Sequence, residues 1–310
     1  MKAFPKIAIV GSGAIGTYYG AKLALAGTDV RFLMRSDLPA VCARGSLLLH
    51  ERKGTTELRP VAAFGAPGEI GPVDLVLVTL KTTANGELAR LLPPLLAPHT
   101  VIFTLQNGLG SDEQLATLFG AERVMGGLAF IAATRTAPGE VTCFHPGSIA
   151  LGEFGRPPLE RTRALAAQFE AAGVKTRVVD SLVEARWRKL VWNIPFNGLA
   201  ITAGGVATDR LCADPLLAED VRALMREVQL AASCLGFVIP DDFLRQQFDV
   251  TPPMGAYQPS SLVDFLAGRE VEVETIWGEP LRRAQAAGAS VPRLEKLYAS
   301  LKKLTVQRVF

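Results

Sequence analysis

Cysteine and histidine are scarce in this chain of 310 residues, with four of the first and three of the second. Cys42, Cys143, Cys212 and Cys234 stand far apart and form no C-x-x-C pair, so neither a zinc site nor a disulfide framework is expected. His50, His99 and His145 are equally isolated, which argues against a metal centre built from ligands at regular spacing. Long apolar runs are missing as well. No stretch of about 18 apolar residues exists to cross a bilayer, and the apolar run behind Lys2 is cut off after Val10 by Gly11, Ser12 and Gly13, too early for a signal peptide. The expectation is a cytoplasmic protein with reduced thiols. An excess of one charge is also absent: 33 Lys and Arg face 30 Asp and Glu, a formal net charge of +3 without any basic block. Neither nucleic acid nor an anionic membrane is needed as a partner.

What is present is apolar material, 49% of the chain, over a length that suits two domains at about 150 residues each. The first half alternates short apolar runs with amphipathic stretches, the pattern of a parallel sheet covered by helices. Residues 7–10, 30–33, 73–78 and 101–105 read as strands, and residues 14–26 and 86–96 as helices, the first stopped by Gly27. Between Val124 and Leu151 the strand-like segments are broken by Pro138-Gly139 and Pro146-Gly147, which suggests antiparallel hairpins. A helix over 159–172 and a strand over 174–179 close this part. Beyond Asp180 helical spacing takes over, in segments 182–203, 215–235, 261–267, 273–287 and 293–306. The expected fold is α/β: an N-terminal Rossmann-type doubly wound sheet, residues 1–180, with a C-terminal all-α domain, residues 181–310.

Gly11-Ser12-Gly13-Ala14-Ile15-Gly16 is G-x-G-x-x-G placed directly after the first strand and opening the first helix, the context in which this pattern signals a dinucleotide. Gly11 permits the tight turn, Gly13 lets the backbone approach a pyrophosphate, and Gly16 allows close helix packing. The helix N-terminus offers free N–H groups to the anion. Where an NAD site carries an acid at the end of the second strand, this chain has Arg35-Ser36, a cation and a hydroxyl suited to a 2′-phosphate. NADPH is therefore favoured, while Asp37 just beyond keeps a ribose contact with NADH open. Lys81 and Asn107 follow strands at their carboxyl ends, where ligands bind in open α/β sheets. Each also has a plain structural use, Lys81 as a surface charge and Asn107-Gly108 as a turn.

In the helical half Lys189, Asn193 and Asn197 recur at i, i+4 and i+8, so an amine and two amides share one stripe about 80° wide on a helix rich in Leu, Val, Trp, Ile and Phe. Bound polar substrate would give them partners; bonds to neighbouring backbone and a snorkelling lysine would also satisfy them. Pro195 inside this pattern should kink the helix. Ser260 stands at another helix start, where an N-cap is its ordinary role. The run Gly268-Arg269-Glu270-Val271-Glu272-Val273-Glu274 offers three carboxylates, of which only one needs to reach a site.

With these residues in view, the chain resembles the ketopantoate reductase family, 2-dehydropantoate 2-reductases that reduce a branched 2-keto acid with NADPH on the route to pantothenate. The resemblance spans nearly the whole length. It rests on the glycine loop, Lys81, Gln106-Asn107-Gly108, the stripe of Lys189, Asn193 and Asn197, and Ser260 twelve residues before Glu272. It implies that Lys189 protonates the keto oxygen, Glu272 holds a substrate hydroxyl, and Asn107, Asn193, Asn197 and Ser260 orient the substrate. Gly-Arg-Pro-Thr-Glu, usual in the family, reads Gly268-Arg269-Glu270-Val271-Glu272 here; counting from Gly-Arg selects Glu272 over Glu270 and Glu274. Trp192 and Ile194-Pro195-Phe196 suggest a divergent branch. A related NADP-dependent 3-hydroxy acid dehydrogenase and a non-enzymatic NADP sensor are the alternatives. The expected partner is a small 2-keto acid, in a monomer or homodimer.

Overall fold

Ile7, Ala8, Ile9 and Val10 are all buried, and successive residues turn to opposite faces. Ile7 and Ile9 join one apolar cluster with Leu75, Leu77 and Phe103, whereas Ala8 and Val10 join another with Val76, Val78 and Ile102. A strand apolar on both faces belongs in the middle of a sheet covered on both sides. The computed structural model describes residues 3–306 and places this strand, β1 (Lys6–Val10), in the interior of a ten-stranded sheet. Its other strands are β2 (Asp29–Leu33), β3 (Leu47–Glu51), β4 (Gly54–Leu58), β5 (Ala62–Phe64), β6 (Val73–Val78), β7 (Leu96–Thr104), β8 (Val124–Ala137), β9 (Glu140–Glu153) and β10 (Lys175–Val178).

The order β5-β2-β1-β6-β7-β8 is parallel throughout, so the chain winds outward from β1 first on one side and then on the other. That is the doubly wound Rossmann arrangement, and its switch point lies between β1 and β6. β9 returns antiparallel to β8 and carries β3 along its first half and β10 along its second. The α/β expectation holds for this part. Two compact units divide the chain: one takes residues up to Gln106 together with Ser111–Leu182, and the other takes Asn107–Gly110 with the chain from Val183 onward. Among the described residues the second unit is entirely helical outside its loops, around a core of Trp187, Phe196, Trp277 and their neighbours. None of its helices is long and apolar enough to cross a membrane.

Several elements depart from the expectations. The single helix expected over 86–96 is instead a tight turn at Thr82–Glu87, one α-turn at Leu88–Leu91 and another tight turn at Pro93–Leu95. Pro93 and Pro94 have no N–H to continue the helical ladder, so it stops in front of them. Pro146-Gly147 does not end a strand either. It lies inside β9 where the pairing with β8 shifts, and a Cβ on Gly147 would fall 1.3 Å from the Phe130 carbonyl oxygen, so glycine lets the long strand carry a bulge. β3, β4, β5 and the helix Leu38–Arg44 were not expected. β4 is mostly exposed and β5 is three residues long, so neither offers a buried apolar repeat. Pro195 lies inside the helix Leu182–Thr202, as its place in the apolar pattern implied.

Candidate active site

The glycine loop shows which of its glycines the fold needs. Gly11 has φ +106, and a Cβ there would lie 2.3 Å from the Leu80 amide nitrogen; a Cβ on Gly16 would lie 2.3 Å from the Gly11 carbonyl oxygen. Thr79 Oγ1 donates to that carbonyl at 2.7 Å and locks the turn. Gly13 is different. Its φ of −81 suits any residue and nothing lies within 4 Å of where its Cβ would be. Packing does not explain that glycine, whereas a pyrophosphate brought against the backbone does. The helix Ala14–Leu25 has no side-chain cap and no acid in its first turn, leaving its N-terminal amides to an anion. These residues fit a dinucleotide.

Ser12 Oγ donates to the Leu33 carbonyl at 2.9 Å and holds the loop against the end of β2. Arg35 and Ser36 follow on the surface. Asp37, read as an alternative ribose acceptor, is 5% exposed and already engaged: it accepts from the Gly139 amide at 3.0 Å and from Ser36 Oγ at 3.0 Å, and it is paired with Arg135. It is therefore not available to a ribose diol. Lys81 is exposed at the turn after β6. Gln106, whose structural role was not foreseen, is buried and its amide nitrogen donates to the Leu80 carbonyl at 2.9 Å and to Asn85 Oδ1 at 2.7 Å, tying the ends of β6 and β7 together.

The second unit gathers the other polar residues. Lys189 Nζ donates to Asn107 Oδ1 at 2.8 Å. Burial pushes the amine down to about 7 from its ordinary 10.5, Arg186 one turn earlier pushes the same way, and the Glu272 carboxylate opposes both. The order of the three effects means that desolvation dominates. Asn107 is held by its neighbour: Gly108 has φ +79, and a Cβ there would lie 2.2 Å from the Thr275 carbonyl oxygen, which also accepts from the Leu109 amide at 2.9 Å. Asn107-Gly108 is thus more than a turn, since it docks on the segment that carries Glu272.

The three carboxylates of that segment separate cleanly. Glu270 is exposed, and Glu274 accepts from Tyr298 Oη at 2.7 Å and from Arg282 at 3.0 Å. Glu272 is 7% exposed. It precedes a π-turn at Glu274–Gly278, a wide turn that often marks functional sites, and Trp277 from that turn donates to the Ile194 carbonyl at 3.0 Å. Gly198 makes room for the indole: a Cβ there would lie 2.9 Å from Trp277 Nε1. Asn193 is 8% exposed and makes no side-chain hydrogen bond among the described residues. Asn197 is fully buried, and its Oδ1 accepts from the Ser261 amide at 2.9 Å and from Ser260 Oγ at 3.5 Å. Ser260 is therefore the first residue of its helix and a partner of Asn197, not the N-cap, which is Pro259.

Two family models match the chain, one described as "Ketopantoate reductase PanE/ApbA" over residues 7–156 and one as "Ketopantoate reductase PanE/ApbA C terminal" over residues 181–305. The chain belongs to the ketopantoate reductase family. A 2-dehydropantoate 2-reductase from a Nostoc species is 38% identical over 96% of this chain and 95% of its own. The crystal structure of 2-dehydropantoate 2-reductase from Geobacter metallireducens is 44% identical, with a TM-score of 0.93 over 96% of this chain and 99% of that one. That from Methylococcus capsulatus is 34% identical, with a TM-score of 0.90 over 98% of each. For a ketopantoate reductase with this glycine loop, Gly13→Ala should change folding stability by less than about 1 kcal/mol because its φ suits alanine. Dinucleotide affinity should fall about tenfold or more, about 1.4 kcal/mol. Thermal unfolding and calorimetric titration check the pair; unchanged affinity contradicts the assignment.

Proposed function

We propose that this chain reduces 2-dehydropantoate (ketopantoate) to pantoate with NADPH in the cytoplasm, as a step in pantothenate synthesis. The observation that carries this reading is the half-buried Lys189, whose amine is fixed by Asn107 and feels the charge of Glu272. NADPH on the glycine loop supplies the hydride. Hydride arriving at a keto carbon turns the carbonyl oxygen into an alkoxide, which needs a positive charge and then a proton. Lys189 provides both, and an acid with a pKa near the working pH transfers its proton most effectively. Asn107 accepts one of the ammonium hydrogens and so orients the amine.

Glu272, the one carboxylate of the three that is withdrawn from solvent and not held by Arg282 and Tyr298, accepts the hydroxyl that distinguishes ketopantoate from simpler branched keto acids. Asn193 and Ser260 orient the acid. Asn197, whose Oδ1 is occupied, acts through Ser260 and is a positioning residue. On the nucleotide side Gly11, Ser12, Gly13, Ala14, Ile15 and Gly16 cradle the pyrophosphate, while Arg35 meets the 2′-phosphate and Lys81 adds a cation at the switch point.

Lys189→Ala should lower kcat by about 10²- to 10⁴-fold, the range of a lost general acid, with little effect on NADPH affinity. Stopped-flow turnover and equilibrium titration check it; near-normal kcat contradicts the role. Ketopantoate should also be preferred strongly over the analogue lacking its hydroxyl, because a site built around that hydroxyl loses the contact with Glu272 when the analogue binds. Glu272→Gln should shrink the preference, whereas Glu270→Gln and Glu274→Gln should leave it intact. Kinetics of both keto acids with the three variants decide the matter, and control by Glu270 or Glu274 contradicts the choice of carboxylate.

A further inference from the structure

The tip of the β8-β9 hairpin is docked on the helix Leu38–Arg44 at both of its ends. At one end Asp37 accepts from the Gly139 amide at 3.0 Å. At the other, Arg44 donates to the Pro138 and Gly139 carbonyls at 3.1 and 3.0 Å and pairs with Glu140 at 2.8 Å. A Cβ on Gly139 would lie 2.5 Å from Val41 Cγ2, so the turn sits directly on that helix. The docking brings Arg135, 98 residues away in sequence, onto the surface after β2: its Nη1 pairs with Asp37 and lies 3.5 Å from Ser36 Oγ.

We infer that Arg135 is a second cation for the 2′-phosphate of NADPH, working beside Arg35 and held in place by Asp37. This rests on the cofactor reading above and deepens it. Three observations support the inference. Asp37, just beyond Arg35-Ser36, is buried against the hairpin, and its charge holds a guanidinium. Arg135 keeps 46% of its side chain exposed despite that pairing, which leaves donors of its planar fork for a phosphate. Ser12 ties the glycine loop to the end of β2, and three residues on Ser36 meets Arg135, so the cation lies on the stretch that follows the dinucleotide cradle. Phosphate oxygens accept such forked donors well.

Calorimetric titration of the full chain with NADPH and with NADH, without keto acid, tests this. Arg135→Gln should weaken NADPH about tenfold or more, the usual loss for a charge-assisted contact, and NADH by no more than about twofold. It should also flatten the dependence of NADPH affinity on salt. Equal weakening of both nucleotides would mean that Arg135 only braces Asp37 and would overturn the inference, as would no change in either. If Arg135→Gln does not fold, Arg135→Lys keeps a cation by Asp37 but loses the fork. Selective weakening of NADPH by a few fold supports the inference, and unchanged selectivity overturns it. Failure of the parent protein to bind NADPH at all would instead remove the cofactor reading itself.

Discussion

A partly desolvated lysine amine is the constraint on which the second unit's polar residues depend. Desolvation disfavours the charged form, and it is opposed by Asn107, which accepts from the amine, and by the opposite charge of Glu272. Each of those partners needs its own support. Asn107 is placed by Gly108 lying against Thr275, Glu272 by the π-turn whose Trp277 bonds Ile194, and the indole by the missing side chain at Gly198. A Cβ at Gly108 or Gly198 would push apart the segments that hold the amine, although neither glycine carries a functional group.

The proposed roles divide between the two units. Backbone amides and glycines, which bind any pyrophosphate, lie on the doubly wound sheet. The side chains proposed to bind the keto acid, Lys189, Asn193, Ser260 and Glu272, lie on the helical unit. In the proposed reading, selection of the phosphorylated nucleotide falls to the stretch after β2, where Asp37 is buried and paired with Arg135.

Much of this was legible in the residues, and the parts that were not have common physical causes. β1 and β6 were visible because strands buried on both faces are largely apolar, and β2 because Val30, Phe32 and Leu33 are. β4 escaped because it is mostly exposed on the sheet edge. The stripe of Lys189, Asn193 and Asn197 followed from helical spacing, but spacing is blind to partners: Asn197 spends its carbonyl oxygen on Ser261. Three similar glutamates in alternation could not be ranked from composition; burial of Glu272 against exposure of Glu270 and capture of Glu274 ranks them. Arg135 carried no local signal at all, since only the docked hairpin brings it to Ser36. Asp37 looked available for the same reason.

The account turns on the state of one amine, and direct observation of it is the most searching test. Following the Lys189 side-chain carbon by NMR in selectively labelled protein, with Lys189→Arg to assign the signal, gives its titration without any substrate. The amine should lose its proton around pH 7, so that the protonated, proton-donating form dominates below that value and disappears above it. A midpoint at the ordinary lysine value of 10.5 would mean that the amine is solvated and would contradict the account.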